Sequence, residues 1–295
     1  MHQRKNIIDQ VGLSVAEYNK IIDDAERNGV RCLEISGEGE PMMSKNIIDI
    51  IKFSNKKKLI TTLITNGSWL TVDFIRFCFE NNVTLVVSLF SISKKLYEDD
   101  NGCYGSYEKV IKNIDIASKI YEKGIEEVLG MKVYRMAIHT TVQMDNAFSL
   151  GDMKKYCKNN DIFFSVAPLA PVGGGEVNSY LVPDINNYDI AGDNSIILSR
   201  TSTADIGREV CGTCLYGLNI GYEGNLLLDA HAGYDVGDIF GNIRTNIFED
   251  LMVTQKIETK KMFQALDGFC PIRANGWKEY IQPYINKYQT KKFIV

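Results

Sequence analysis

Val30-Arg31-Cys32-Leu33-Glu34-Ile35-Ser36-Gly37-Glu38-Gly39-Glu40-Pro41 begins as a short apolar run and ends in a loop of glycines, acids and a proline. Val30 to Ile35 reads as a strand, and the residues from Gly37 onward as its stop. The two glycines let the backbone bend and bring its N–H and C=O groups close to a ligand. The same spacing also serves a plain strand–helix loop in which Pro41 starts the next helix.

Working outward, the pattern on either side of this stretch alternates helix and strand. Upstream, Ser14-Val15-Ala16-Glu17 is a capping box, and the helix it opens carries apolar Ile21, Ile22 and Ala25 towards Asn28-Gly29. Downstream, a helix over 45–54 leads to a strand over 59–64 that ends at Thr65-Asn66-Gly67. A helix from about Thr71 to Glu80 precedes the strand Val83 to Leu89, whose unbroken apolar, β-branched character predicts burial on both faces. A long helix over 106–123, a strand over 131–142, a helix over 150–158 and a strand over 162–166 complete the series. Five strands with intervening helices predict successive βαβ units and a parallel sheet with right-handed crossovers. A partial α/β barrel over residues 1–170 is the expected fold. A linker follows over 171–205, beginning with Pro171-Val172-Gly173-Gly174-Gly175, and then a smaller β-rich module over 206–295. In that module, Leu218 to Tyr222, Glu223-Gly224 and Asn225 to Leu228 read as a hairpin.

Polar residues gather at the predicted strand ends, where α/β sheets place their sites. Besides Gly39 and Glu40 they are Thr65 and Asn66, Ser88, and His139, which shares a strand face with Thr141 and Gln143. Polar groups converging from four neighbouring strands are hard to account for as core.

The loop Ser36 to Pro41, the triplet Thr65-Asn66-Gly67 and the strand order around them resemble the radical S-adenosylmethionine (SAM) superfamily over residues 14–170. The resemblance implies that Gly39 and Glu40 hold the amino group of SAM. It places Ser88 near the ribose and Val142 to Asn146 near the adenine or the methionine carboxylate. Leu89-Phe90 departs from the family, which often has a glycine or a further polar residue after the serine. Further along, Cys211-Gly212-Thr213-Cys214, the stretch Ile220 to Asn225 and Gly241-Asn242-Ile243 resemble the SPASM or twitch modules that bind auxiliary iron–sulfur clusters. The implied ligands of one auxiliary [4Fe–4S] cluster are Cys211, Cys214 and Cys270. Asp229 or His231 would substitute for a cysteine the family usually has, or the cluster is incomplete. A CxxC pair supplies two thiolates from one turn, but also fits two buried structural thiols. Cys32, Cys78, Cys103 and Cys157 lack ligand spacing and read as packing residues.

The superfamily's Cys-xxx-Cys-xx-Cys loop, which ligates the cluster that reduces SAM, has no counterpart among the seven cysteines. Two expectations stand side by side. The chain is a fragment of a radical SAM enzyme that modifies a substrate, a peptide by preference, with a reductant protein as partner; or it is a degenerate, non-catalytic SAM- or peptide-binding scaffold. With its neighbouring strand missing, Val30 to Ile35 is expected to form an open sheet edge that invites association.

Composition narrows the alternatives. With 45% hydrophobic residues, 24% charged and six prolines the chain is an ordinary globular protein, which excludes disordered and collagen-like classes. A formal charge of −4 gives no basic footprint for nucleic acid, and Lys56-Lys57-Lys58 reads as a solvated face. The N-terminus lacks an apolar signal core and no apolar run is long enough to span a membrane, so a cytoplasmic protein with reduced thiols is expected. A Gly-x-Ser-x-Gly hydrolase elbow is absent, and Glu38 with Glu40 as an acid–base pair is the weaker enzymatic alternative.

Overall fold

The computed structural model describes residues 12–37, 39–101, 105–169, 179–181, 217–228 and 240–265. These fall into two compact units, one of residues 25–168 and the other of residues 12–24 with the described residues from 169 onward, apart from the stretch 186–198.

The first unit is built on five parallel strands: β1 (Cys32–Ile35), β2 (Ile60–Thr65), β3 (Val83–Ser88), β6 (Met136–Val142) and β7 (Phe163–Pro168). They lie in sequence order, β1-β2-β3-β6-β7. Sequential order with right-handed crossovers puts every connecting helix on one face, which is how a barrel is wound. A doubly wound sheet would reverse its strand order part-way. The sheet is therefore a partial, open barrel.

The helices of this unit are α2 (Ile47–Lys56), α3 (Val72–Glu80), α4 (Lys94–Asn101), α5 (Tyr107–Tyr121) and α6 (Leu150–Asn159). Their buried residues repeat at helical spacing: Ile47, Ile50 and Ile51 on α2; Val110, Ile114 and Ala117 on α5; Leu150, Met153 and Cys157 on α6. Ile47 and Ile51, the α5 stripe, Met153 and Cys157 meet Leu63, Val83, Leu85, Val87, Met136 and Ile138 in one core cluster, while Leu150 joins Val142, Ala147 and Val166 in a second. Polar groups caught in this layer are satisfied. Ser54 Oγ bonds Thr61 Oγ1 (2.9 Å), and the Tyr121 hydroxyl donates to the Val83 carbonyl (3.1 Å).

Burial alternates along the central strands, so the second face is only partly covered. Full burial of β3 on both faces, expected from its composition, does not occur, because an open barrel leaves its inner face accessible. Cross-strand register sorts that face into layers. Glu34, Thr62 and Thr84 form one row; Ile64, Val86, Ala137 and Phe163 a second; Ser88, His139 and Ser165 a third.

One expected strand, 131–142, is two. Glu126–Val128 (β4) and Met131–Val133 (β5) form an antiparallel hairpin, and the chain re-enters the sheet only at Met136. Arg135 ends the hairpin segment by lying over the Phe79 ring (4.8 Å) and donating to the Phe79 carbonyl (2.9 Å).

The second unit begins with the N-terminal part of α1 (Val15–Arg27), which opens on the expected capping box: the Ser14 amide and hydroxyl both donate to Glu17 Oε2 (2.7 and 2.8 Å). The expected hairpin is present as Asn219–Ile220 (β8) against Leu226–Leu227 (β9). An 18-residue helix, α7 (Phe248–Ala265), adds an element that the sequence pattern did not suggest. Arg244 ties this segment to α1. Its Nε donates to Glu17 Oε1 (2.5 Å) and its Nη2 to the Gly12 carbonyl (3.0 Å). The Glu17 carboxyl is held at about 2 by that Arg244 bond first, and by the Ser14 bonds after it. Among the described residues no helix is long and apolar enough to cross a membrane.

Candidate functional site

The loop after β1 is closed by Glu40, which caps the 3-10 turn Pro41–Met43 with a bond from the Met42 amide to Oε1 (3.2 Å). The same carboxylate reaches the next strand end. Thr65 Oγ1 donates to Oε1 (2.6 Å) and the Asn66 amide to Oε2 (2.8 Å). Thr65 is buried and passes the network on, accepting from the Gly67 amide (3.1 Å). Gly67 has φ +77°, and an added Cβ would press on Val87 at 3.1 Å, so this turn requires glycine. Asn66 Oδ1 accepts from the Ser68 amide and hydroxyl (2.9 and 2.6 Å), completing the turn. The two loops picked out in the sequence are thus one hydrogen-bonded unit.

Glu40 has used three of the roughly four acceptor positions a carboxylate offers, which leaves room at Oε2 for one further donor such as an ammonium group. Beside it the backbone at Gly39 is open: an added Cβ would meet nothing within 4 Å.

Ser88 and His139 are register partners on β3 and β6, with Ser88 exposed and His139 half-buried. Ser165 is the next partner, and its Oγ lies 2.8 Å from His139 Nδ1. Thr141 shares this face, whereas Gln143 lies past the end of β6. The loops beyond Ser88 and β6 are sewn together. Thr140 Oγ1 donates to the Leu89 carbonyl (2.8 Å), and buried Asn146 Nδ2 donates to the carbonyls of Thr141 (3.0 Å) and Phe90 (3.2 Å). Gln143 Oε1 is buried there without a hydrogen-bond partner, an acceptor that a ligand donor would satisfy.

These groups fit SAM in chemistry: a carboxylate and open backbone for the amino end, hydroxyls and an imidazole on the sheet face, and an orphaned amide oxygen further along. An iron–sulfur cluster finds no such fit among the described residues, where no three His, Cys, Asp or Glu side chains gather to share a metal. Cys78 and Cys157 lie in the core layer, and burial pushes both thiols up to about 12, so they stay protonated. Cys32 is exposed at the start of β1. Cys211, Cys214, Asp229, His231 and Cys270, with Cys103, lie outside the described residues.

No protein-family model matches the chain. Among solved structures it is similar to anSMEcpe with bound AdoMet, at TM-score 0.61 and 14% identity, covering 99% of this chain and 94% of that one. The fold is that of the radical SAM enzymes. The radical SAM fold is shared also with SuiB of Streptococcus suis bound to its precursor peptide SuiA, at TM-score 0.58 and 16% identity over 83% of this chain and 58% of that one. By sequence the chain is 24% identical over 173 residues to an AdoMet-dependent heme synthase of Methanosarcina barkeri. That alignment covers 58% of this chain, which spans 46% of the length of the synthase.

Of the residues singled out in the sequence, the structure joins Glu40, Thr65 and Asn66 by hydrogen bonds and sets Ser88 and His139 in one register row; Ser165, next in that row, was not singled out. Nothing local marks that serine. Its partner lies 26 residues earlier, and only the β6–β7 register brings the two together.

Proposed function

We propose that the partial barrel binds SAM across the C-terminal ends of β1, β2, β3 and β6, and that the chain is a radical SAM-type enzyme, or a piece of one, acting on a peptide or protein. Gly39 presents open backbone to the methionine amino group, and Glu40 receives it while holding the two loops together. Ser88 and His139 face the ribose side. A [4Fe–4S] cluster, where such a protein holds one, would supply the electron that splits SAM into methionine and a 5′-deoxyadenosyl radical; the described residues offer no ligand set for it, and they would serve to hold and orient SAM. The cluster, its reductant protein and an auxiliary cluster with Cys211, Cys214 and Cys270 as ligands belong to this proposal. The peptide preference is supported by likeness to SuiB and anSMEcpe, both solved with peptides.

The observation that carries the reading is the Glu40 clamp with open backbone at Gly39 beside it. Gly39→Ala is the discriminating test, because its Cβ meets nothing and the position has no left-handed φ. The expected result is an unchanged melting temperature with binding of S-adenosylhomocysteine about tenfold weaker or worse by calorimetry, the equivalent of about 1.4 kcal/mol. Equal binding by both proteins would remove the loop from the site.

The scaffold reading is favoured by one observation, that none of the seven cysteines falls in a Cys-xxx-Cys-xx-Cys spacing. Anaerobic reconstitution of the 295-residue chain is the test: iron uptake with 5′-deoxyadenosine on reduction supports the enzyme, and SAM binding with neither supports the scaffold or a piece without the cluster ligands.

A further inference from the structure

Asn113 stands in the middle of α5, away from the strand ends that make up the site, yet its side chain reaches one of the site's loops. Its Nδ2 donates to the Gly67 carbonyl at 2.9 Å. We propose that Asn113 is a positioning residue of the SAM site, holding the Gly67 turn and, through Thr65, the Glu40 carboxylate that receives the methionine amino group. This inference rests on the site proposed above.

The turn requires glycine, but glycine is also the residue with the widest choice of backbone conformations, so something outside the loop has to select one. Helix α5 does this at two points. Val110, one helical turn before Asn113, lies against Gly67, where an added Cβ would come within 3.4 Å of its Cγ1. Asn113 then fixes the carbonyl. The polarity of that bond is set by chemistry, because a carbonyl oxygen only accepts and the nitrogen of a carboxamide only donates. From Gly67 the series continues in one direction. The Gly67 amide donates to Thr65 Oγ1 (3.1 Å), and the single Thr65 hydroxyl proton goes to Glu40 Oε1 (2.6 Å), since a carboxylate can only accept. Asparagine is among the weaker residues for a helix interior, and the bond to Gly67 gives its place in α5 a physical reason.

The test compares wild type with Asn113→Leu, which deletes the donor, and Asn113→Asp, which keeps the shape without the donor. Amide hydrogen exchange is followed in all three, and calorimetry with S-adenosylhomocysteine in wild type and Asn113→Leu. Expected in both variants is several-fold faster exchange at Asn66 and Gly67, with the β3 amides as protected as before. Binding to Asn113→Leu should weaken about fivefold, the equivalent of one neutral hydrogen bond of about 1 kcal/mol. Unchanged exchange at Asn66 and Gly67 overturns the proposal, and so does exchange that rises equally along β3, which would make Asn113 a plain stabiliser. Faster exchange at the turn with undiminished binding overturns it as well. So does a wild-type Asn113 carboxamide that exchanges as fast as one in open solvent, a measurement that needs no variant to fold. If the wild type binds no S-adenosylhomocysteine, the location of the SAM site fails, while exchange at Asn66 and Gly67 still decides whether Asn113 holds the turn.

Discussion

Glu40 joins two loops through one carboxylate, so its replacement tests folding and binding together. Glu40→Ala leaves the buried Thr65 hydroxyl without its acceptor and frees the Asn66 amide. Hydrogen bonds to charged groups contribute about 1.5–3 kcal/mol each, and partial compensation by water makes a loss of about 2 kcal/mol the expected outcome in urea unfolding. Glu40→Gln should cost about half as much, since its oxygen can still accept from Thr65 while its amide faces the Asn66 N–H. Equal losses for both variants would show that the charge contributes nothing. A second residue-scale effect concerns acid. The Glu17 carboxyl is lowered from its ordinary 4.5 to about 2 when folded, so its bonding to Arg244 and Ser14 stabilises fully above about pH 4.5 and is lost as pH falls towards 2. Glu17→Gln cannot titrate there. Between pH 5 and 2 the wild type should therefore lose more stability than the variant, and parallel pH profiles would rule this contribution out.

At the scale of elements, the β4–β5 hairpin turns through Leu129 and Gly130, both left-handed at φ 54° and 77°. That is the geometry of a two-residue hairpin turn that favours asparagine and glycine. Leucine there carries a penalty of roughly 1 kcal/mol, and its side chain is 93% exposed, so packing does not offset it. Leu129→Asn should slow amide exchange across Glu126–Val133 several-fold, and unchanged exchange would mean the turn is not strained. The same residues explain what the sequence hid. Without an Asn-Gly signal, and with Val133, Tyr134 and Met136 continuing a strand-like run, the hairpin and β6 read as one strand. Helix α4 was missed because Lys94–Asn101 is almost wholly polar and carries little periodic signal. The βαβ series was legible since each helix keeps its apolar stripe and each central strand its alternation. The clamp was legible because Ser36–Pro41 and Thr65–Gly67 are local motifs; the Ser88–His139–Ser165 row was legible only in part because register is not.

For the whole molecule, β1 is an edge strand among the described residues, paired only with β2. An exposed parallel edge invites pairing with another chain, and a charged residue on it discourages that. Cys32 is exposed on this strand. The wild type should self-associate with rising concentration in sedimentation velocity under reducing conditions, and Cys32→Lys should remain monomeric over the same range. A monomeric wild type would indicate that the edge is covered.

Glu17 and Arg244 are 227 residues apart in the chain. On a ribosome adding about 5–20 residues per second, roughly ten to fifty seconds separate the emergence of the two. Residues 25–168 hold all five strands and the whole core cluster, and are complete well before Arg244 exists. Vectorial synthesis therefore finishes the barrel first and leaves the start of α1 waiting, a nascent segment on which a chaperone has time to act before its own unit can close around it.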